Sequence, residues 1–272
     1  MKKIFWFFII MSFFINSPAL CANNTAKNIE DLAKIIKTIK TKQQLKDSDY
    51  SVTPSRSNKT GSGERVRRQR EIRDIGYKLL NSNEIDKRMT FSYSLDYKEP
   101  NAYASLKTRE INVNKGLYDM IDYQDELAFI LGHEISHAVD SYWGPANGLF
   151  YNPQFNFVNR KIESRCDLRS IDFIVKAGYN PLAALIISNK LLSQPSTDIF
   201  SSHPMGNKRL AMIYVYIKHT YPQYLTNNKL TEDPVYQNML ISTQKHIEKV
   251  EASLEKQQQK QLEKQNKLKE KN

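Results

Sequence analysis

The stretch DELAFILGHEISHA, residues 125–138, combines an apolar helical pattern with two histidines that are four positions apart. Residues four apart on a helix lie on the same face, so His133 and His137 can converge on one cation. Glu134 lies next to that face and can reach a water molecule on the cation. Zinc lowers the pKa of such a water to about 7, and a glutamate can pass its proton to a leaving amine. The stretch therefore predicts a helix with a hydrolytic zinc site.

Two alternatives exist for this motif: a chance match, or two histidines satisfied inside a core. Burying two histidines and an acid without a ligand is costly, which argues against the core alternative. The spacing predicts a helix capped by Asp122, with Asp125 three residues on, and ended by Gly144-Pro145. The apolar residues at helical spacing in it are Leu127, Ile130, Leu131, Ile135 and Ala138.

A catalytic zinc ion usually has three protein ligands and one water, so a further ligand is needed. Glu163 and Asp167 are four apart on a second predicted helix, which spans about residues 159–177 and stops at Gly178. Glu163 can ligate the metal while Asp167 accepts a hydrogen bond from a ligand imidazole. The alternatives are an ordinary surface helix with two acids, and Cys166 as a competing soft ligand.

The rest of the central region predicts short strands and further helices. The expected strands are residues 88–95, with alternating apolar side chains, and residues 109–113. The other helices are expected to begin near Glu64, after Asn180-Pro181, and near Asn207. The first of these has apolar positions Val66, Ile72, Ile75, Leu79 and Leu80.

The N-terminus has the pattern of a signal peptide. Met1-Lys2-Lys3 is positive, residues 4–15 are apolar, and residues 16–22 form a polar break with small residues. The apolar run is shorter than the roughly 20 residues that span a bilayer, so residues 1–22 are predicted to be cleaved from a periplasmic or secreted protein. The alternatives are an uncleaved anchor and a lipoprotein, which Leu20 before Cys21 fits poorly. After cleavage one cysteine remains, so an intrachain disulfide is excluded.

Polar segments flank the predicted domain of residues 64–221. Residues 23–63 combine an amphipathic helix with a Ser/Thr/Gly-rich linker, and residues 222–272 form a polar charged tail. From about Asn238 the tail is expected to be a solvated or frayed helix rather than a coiled coil. The net charge of +11 favours peripheral contact with anionic lipid or cell-wall polymers, whereas nucleic acid is an unlikely partner for an exported protein.

Residues 101–210 resemble the zinc metallopeptidases that include CaaX prenyl proteases, HtpX-like heat-shock proteases and BepA-like periplasmic proteases. The similarity extends from a strand with the pattern Asn-Ala-x-Ala to a late His-Pro…Arg element. The residues that carry it are Asn101 to Ala104, Ile111 to Val113 with Gly116-Leu117, Asp125 to Glu134, Glu163 to Asp167, Ala177 to Pro181, and Ser202 to Pro204 with Arg209.

This resemblance implies an α+β, zincin-like domain, mostly helical with a small edge-bearing sheet. It also implies one Zn²⁺ ion per chain, with a set of roles for the site residues. His133, His137 and Glu163 would be ligands, Glu134 the catalytic acid and base, and Asp167 the hydrogen-bond partner of a ligand imidazole. His203 would lie near the metal, to steady an oxyanion or fill the open position; alternatively it caps the next helix. Arg209 would make a structural or cleft-shaping ion pair.

The implied activity is that of a zinc metalloendopeptidase from the soluble, exported branch of these proteins. The resemblance implies that Ile111-Asn112-Val113 is an edge strand, beside which an extended polypeptide would add as a further strand. The setting would be quality control or processing of envelope proteins, which the N-terminal helix or the charged tail would contact. The competing hypothesis is a non-proteolytic assembly factor with a latent zinc site. Two departures from the pattern are Cys166 in place of alanine, and Ser105 to Thr108 in place of a Pro/Gly turn.

Overall fold

The computed structural model describes residues 63–85, 88–95, 99–105, 108–143, 156–193 and 206–269. The predicted signal peptide, the amphipathic helix of residues 23–63 with all of its linker except the last residue, and His203 lie outside these ranges. No helix within these ranges is both long enough and apolar enough to cross a bilayer.

The described chain is an α+β structure with many helices and one small sheet, so the predicted fold class is confirmed. The strands are β1 (Thr90–Ser94), β2 (Ala102–Ser105) and β3 (Glu110–Asn114). The helices are α1 (Glu64–Ser82), α2 (Lys115–Tyr118), α3 (Gln124–Trp143), α4 (Asn156–Lys176), α5 (Ala183–Leu192), α6 (Asn207–Thr220) and α7 (Pro234–Lys269). Short 3₁₀ turns at Pro222–Leu225 and Lys229–Glu232 lead from α6 to α7.

The sheet has the order β1-β3-β2, with β1 parallel and β2 antiparallel to β3. Its apolar face packs against α1 and α3. Ile111 and Val113 are buried in the central strand. The prediction that Ile111-Asn112-Val113 is an edge strand was therefore wrong. Alternation of apolar residues shows which face of a strand is buried, but it does not show how many strands pair with it.

The two outer strands differ in what faces their free edges. Gln69 of α1 covers the edge of β1, because its Nε2 donates to Phe91 O at 2.7 Å and its Oε1 accepts from Tyr93 N at 2.8 Å. On the other side, Asn114 N donates to Asn101 O. Antiparallel pairing alternates, so the backbone groups of Ala102 and Ala104 face away from β3.

The first turn of α3 is stabilised by Glu126 rather than by Asp122. The Glu126 carboxylate accepts from the backbone N–H groups of Asp122 and Tyr123 at 2.6 and 3.2 Å, the reach-back half of a capping box. Asp122 Oδ2 instead accepts from Lys190 Nζ at 2.7 Å. The predicted Asp122 cap was wrong because α3 begins at Gln124, so the residue before its first turn is Tyr123 and not Asp122.

The end of α4 was placed correctly, at a glycine with positive φ. Gly178 has φ of +80°, and its N–H donates to Val175 O while Tyr179 N donates to Ile174 O. These are the two hydrogen bonds of a Schellman motif. Asn180 Oδ1 then accepts from Leu182 N in the turn that leads into α5. The reversal brings α5 back against α3.

The C-terminal helix α7 packs on α5 and α6 for about half of its length. The residues that turn inward recur every three or four positions: Tyr236, Met239, Thr243, Ile247, Val250 and Leu254. Leu262 and Leu268 are each 63% exposed. The prediction of a solvated helix therefore holds only for the part of α7 after Leu254. The prediction failed before that point because widely spaced apolar residues among Lys, Gln and Glu form a narrow buried stripe.

Candidate metal centre

The close packing of α3 on α4 brings the two predicted motifs together. Gly132 lies at the crossing, where a Cβ would be 2.5 Å from the Ser170 hydroxyl oxygen. Ser170 Oγ donates to Phe129 O at 2.7 Å, which ties α4 to the backbone of α3. Since His133 follows Gly132, the small residue lets the histidine face of α3 approach the Glu163 face of α4.

His133, His137 and Glu163 form a compact group whose candidate ligand atoms lie within 4.8 Å of one another. The two histidine Nε2 atoms are 3.1 Å apart. His133 Nε2 is 3.2 Å from Glu163 Oε2, and His137 Nε2 is 3.2 Å from Glu163 Oε1. The two imidazole nitrogens and the Glu163 carboxylate, which approaches each histidine with a different oxygen, therefore face one point between the helices.

This donor set fits a zinc ion in chemistry and in spacing. Zinc is bound by imidazole nitrogen and carboxylate oxygen, and two histidines with a glutamate are a known catalytic set. With metal–nitrogen bonds of about 2.0–2.1 Å, neighbouring ligands of a tetrahedron are about 3.3 Å apart. The separations of 3.1 and 3.2 Å lie close to that value. His133 and Glu163 are buried and His137 is partly buried, so the group is shielded from bulk water.

Asp167 and Arg209 lie behind the group. His133 Nδ1 is 3.0 Å from Asp167 Oδ1, which places the carboxylate where it can orient the imidazole. Arg209 Nε and Nη2 donate to the two oxygens of Asp167, each at 2.7 Å. The Nη1 atom of Arg209 is also 3.3 Å from Glu163 Oε2. The ion pair expected of Arg209 thus involves two acids of the candidate site.

The electrostatics of the group favour positive charge at His133. Burial opposes a charged imidazole, but Asp167 and Glu163 outweigh it and raise the pKa of His133 to about 10. Burial lowers the pKa of His137, with a smaller opposing effect from Glu163. Burial also opposes an ionised Asp167, yet Arg209 and His133 hold the pKa of that carboxyl below its usual value.

Of the other predicted site residues, Glu134 and Cys166 lie in the described part of the chain, and His203 does not. Glu134 is buried on the same turn of α3 as His133, and its charge acts on His137. Cys166 is buried and is not part of the three-residue group. His203 lies outside the described residues, so its predicted place near the metal stays a prediction.

Three contacts in the structure were not found from the sequence: Gly132 with Ser170, Gln69 with the edge of β1, and Arg209 with Glu163. Gly132 belongs to the motif that carried the family resemblance, which was the only available signal for its close packing. Arg209 was expected to make an ion pair, but nothing local to residue 209 identifies Glu163 as a second acid. The contact of Gln69 with β1 could not be predicted from the spacing of apolar residues in α1.

Residues 66–142 match the family model described as Peptidase family M48. This segment runs from α1 through α3 and includes His133, Glu134 and His137, whereas Glu163 and Asp167 lie beyond it. The match covers less than one third of the 272 residues. A search of curated proteins found no match. The family match supports a metal-dependent peptidase, and the narrower relation to the CaaX, HtpX or BepA branches stays a prediction.

Proposed function

We propose that this protein is a zinc-dependent endopeptidase that hydrolyses exported or envelope polypeptides, with one Zn²⁺ ion held by His133, His137 and Glu163. The observation that carries the proposal is the convergence of both histidine Nε2 atoms and the Glu163 carboxylate, with separations of 3.1 to 3.2 Å between the residues, in a shielded position between two helices. Supporting it, residues 66–142 match Peptidase family M48.

Zinc bound by these residues would polarise a substrate carbonyl and acidify a water molecule. Glu134 is the proposed general base, because it lies beside both histidines with its side chain buried. It would accept the proton of the attacking water and deliver it to the leaving amine. Asp167 would hold the His133 ring through Nδ1, which leaves Nε2 free to face the other ligands.

The substrate is proposed to be an extended polypeptide that adds to the outer edge of β2. Two observations favour this edge over that of β1. The backbone groups of Ala102 and Ala104 face away from β3, whereas Gln69 already occupies the edge of β1. In addition, β2 packs against α3, the helix of the two histidines. Backbone hydrogen bonds at such an edge bind peptides with little dependence on sequence.

The proposed setting is the periplasm or the exterior of the cell. The signal-peptide pattern of residues 1–22 supports it. Quality control or processing of envelope proteins would suit an enzyme that binds extended chains. The exported protein stays strongly basic after Lys2 and Lys3 leave with the signal peptide, which supports peripheral contact with an anionic membrane surface. Envelope proteins are proposed as further partners of the N-terminal helix or the C-terminal charged helix, and nucleic acid is not among the proposed partners.

Substitution Glu134→Gln tests the function, because it keeps the shape of the side chain and removes its basicity. We expect the purified variant to bind one zinc ion, as the wild type does, and to cleave casein about 10²–10⁴-fold more slowly. Glu255→Gln, at an exposed position of α7, is the control and should cleave at the wild-type rate.

Equal caseinolysis by the wild type and Glu134→Gln would refute the peptidase proposal. If both proteins are inert but both bind zinc and support the same envelope phenotype, the assembly-factor hypothesis replaces it.

A further inference from the structure

Arg209 contacts the two carboxylates that flank His133 on opposite sides of its ring. On the Nδ1 side it forms a two-pronged contact with Asp167, with both distances at 2.7 Å. On the Nε2 side its third nitrogen is 3.3 Å from Glu163 Oε2, which is itself 3.2 Å from His133 Nε2. One guanidinium therefore contacts a candidate ligand and the residue that orients another ligand.

The contact is buried, so the geometry of the guanidinium matters more than it would at the surface. Arg209 is 6% exposed, while Glu163 and Asp167 are 3% and 1% exposed. A planar guanidinium fixes a carboxylate through two parallel hydrogen bonds, which an ammonium group does not reproduce. Removing one partner of a buried ion pair leaves an uncompensated charge, and the freed carboxylate then protonates or reorients.

Arg209 affects the affinity of the site for a cation in two opposing ways. Its positive charge repels the cation, which lowers affinity. Its hydrogen bonds to Asp167 and its ion pair with Glu163 hold both carboxylates in place before the cation arrives, which raises affinity. Each Asp167 oxygen already accepts a hydrogen bond from the guanidinium, so much of the Arg209 charge is neutralised. Loss of a group that orients a ligand typically costs 10–100-fold in metal affinity.

We propose that Arg209 is a positioning residue for zinc: it fixes Asp167 behind His133 and holds one oxygen of Glu163, so that the donors are arranged before the metal binds. This inference rests on the proposed zinc site and adds a residue from α6, an element that supplies none of the three donors. It assigns Arg209 a role in zinc affinity, beyond joining α6 to α4.

The matched control is Arg68, a second buried arginine that is 5% exposed. Its Nη1 donates to Tyr93 Oη at 2.8 Å and to Asp119 Oδ1 at 2.6 Å, and Glu64 also pairs with it. None of these residues belongs to the candidate metal centre. Arg68→Lys therefore reports what the loss of a buried guanidinium does to stability alone.

Zinc affinity, measured by competition with a chromophoric chelator, tests the proposal in the full chain. We expect Arg209→Lys and Arg209→Gln each to weaken zinc binding about 10–100-fold. Arg68→Lys should lower the melting temperature of the zinc-free protein without changing zinc affinity. Arg209→Lys keeps a positive charge at this buried position, so zinc affinity can be measured on this variant if Arg209→Gln does not fold. Wild-type affinity in Arg209→Lys would overturn the proposal, because it would show that charge alone suffices.

A double-mutant cycle with Asp167→Asn tests how the effect is transmitted. If Arg209 acts through Asp167, Arg209→Gln should weaken zinc binding much less in the Asp167→Asn background than in the wild type. Equal losses in both backgrounds would overturn transmission through Asp167. Failure of the wild type to bind zinc would instead refute the proposed function, so the two failures are distinct.

Discussion

Asp172 of α4 is a partly buried acid whose immediate hydrogen-bond donors are neutral. Its Oδ1 accepts from the hydroxyl groups of Tyr216 and Tyr221 at 2.6 and 2.7 Å. Burial raises the pKa of Asp172 to about 6, although both hydroxyl groups and the charge of Arg169 act to lower it. The residue thus joins α4 to α6 and to the turn after it, at an electrostatic cost when it is ionised.

Replacing Asp172 by Asn should change how stability depends on pH. The folded-state pKa of about 6 lies above the ordinary value of 3.8, so the folded protein binds the proton more tightly than the unfolded chain. The contribution of Asp172 to the free energy of unfolding of the wild type therefore falls as pH rises from about 4 to about 6. Asp172→Asn can still accept both hydroxyl groups and does not titrate.

We expect the free energy of unfolding of Asp172→Asn, relative to the wild type, to increase by up to about 3 kcal/mol between pH 4 and pH 7. Urea unfolding of both proteins at the two pH values measures this difference. If the difference in free energy of unfolding between the two proteins is the same at both pH values, the pKa of Asp172 is not raised.

At the level of elements, the crossing of α3 and α4 determines whether the candidate ligands meet. Gly132 allows the approach, and the Ser170 hydroxyl group occupies the space beside it. An added methyl group at residue 132 would have to push Ser170 away or separate the helices. Because cores are close-packed, overpacking of this kind costs about 1–3 kcal/mol.

Gly132→Ala is therefore expected to lower the free energy of unfolding by about 1–3 kcal/mol, and to weaken zinc binding because the helices separate next to His133. The double substitution Gly132→Ala with Ser170→Ala removes the hydroxyl oxygen that lies 2.5 Å from the added Cβ. It should recover much of both losses, while Ser170→Ala alone shows the cost of the hydrogen bond to Phe129. Chemical denaturation and chelator competition on the four proteins measure the effect. No recovery in the double variant would show that the crossing does not depend on this contact.

At the level of the whole molecule, α7 completes the core that carries the candidate site. Its first half covers α5 and α6, and α6 contributes Arg209 to the candidate metal centre. The remainder of the helix extends with most side chains exposed. The helix therefore combines a packed half with a charged half that is accessible to partners.

Two leucines of α7 separate these roles. Leu254 is 2% exposed and Leu262 is 63% exposed, on the same helix and eight residues apart. We expect Leu254→Ala to lower the free energy of unfolding by about 2–5 kcal/mol, because it removes buried methyl groups and leaves a cavity. Leu262→Ala should change it by less than about 0.5 kcal/mol. Urea unfolding measures both, and similar effects of the two substitutions would show that the outer half of α7 also packs.

The sequence by itself determined the features that depend on spacing along one helix. The histidine pair of α3 and the acid pair of α4 follow from the four-residue repeat, and the stop at Gly178 follows from its freedom to adopt positive φ. The family resemblance added the order of strands and helices, and hence the fold class. These features were predictable because each depends on residues that are close in the chain.

Only the tertiary structure decided the features that depend on which elements are neighbours. The central position of β3, the contact of Gln69 with the edge of β1, and the packing of α7 all join residues that are far apart in the chain. The same holds for Arg209, which is 42 residues from Asp167. Chain spacing shows which side chains share a face, but only packing shows what that face meets. For this reason the predicted ligands could be named from the sequence, whereas the strand edge proposed for substrate and the two acids that Arg209 contacts could not.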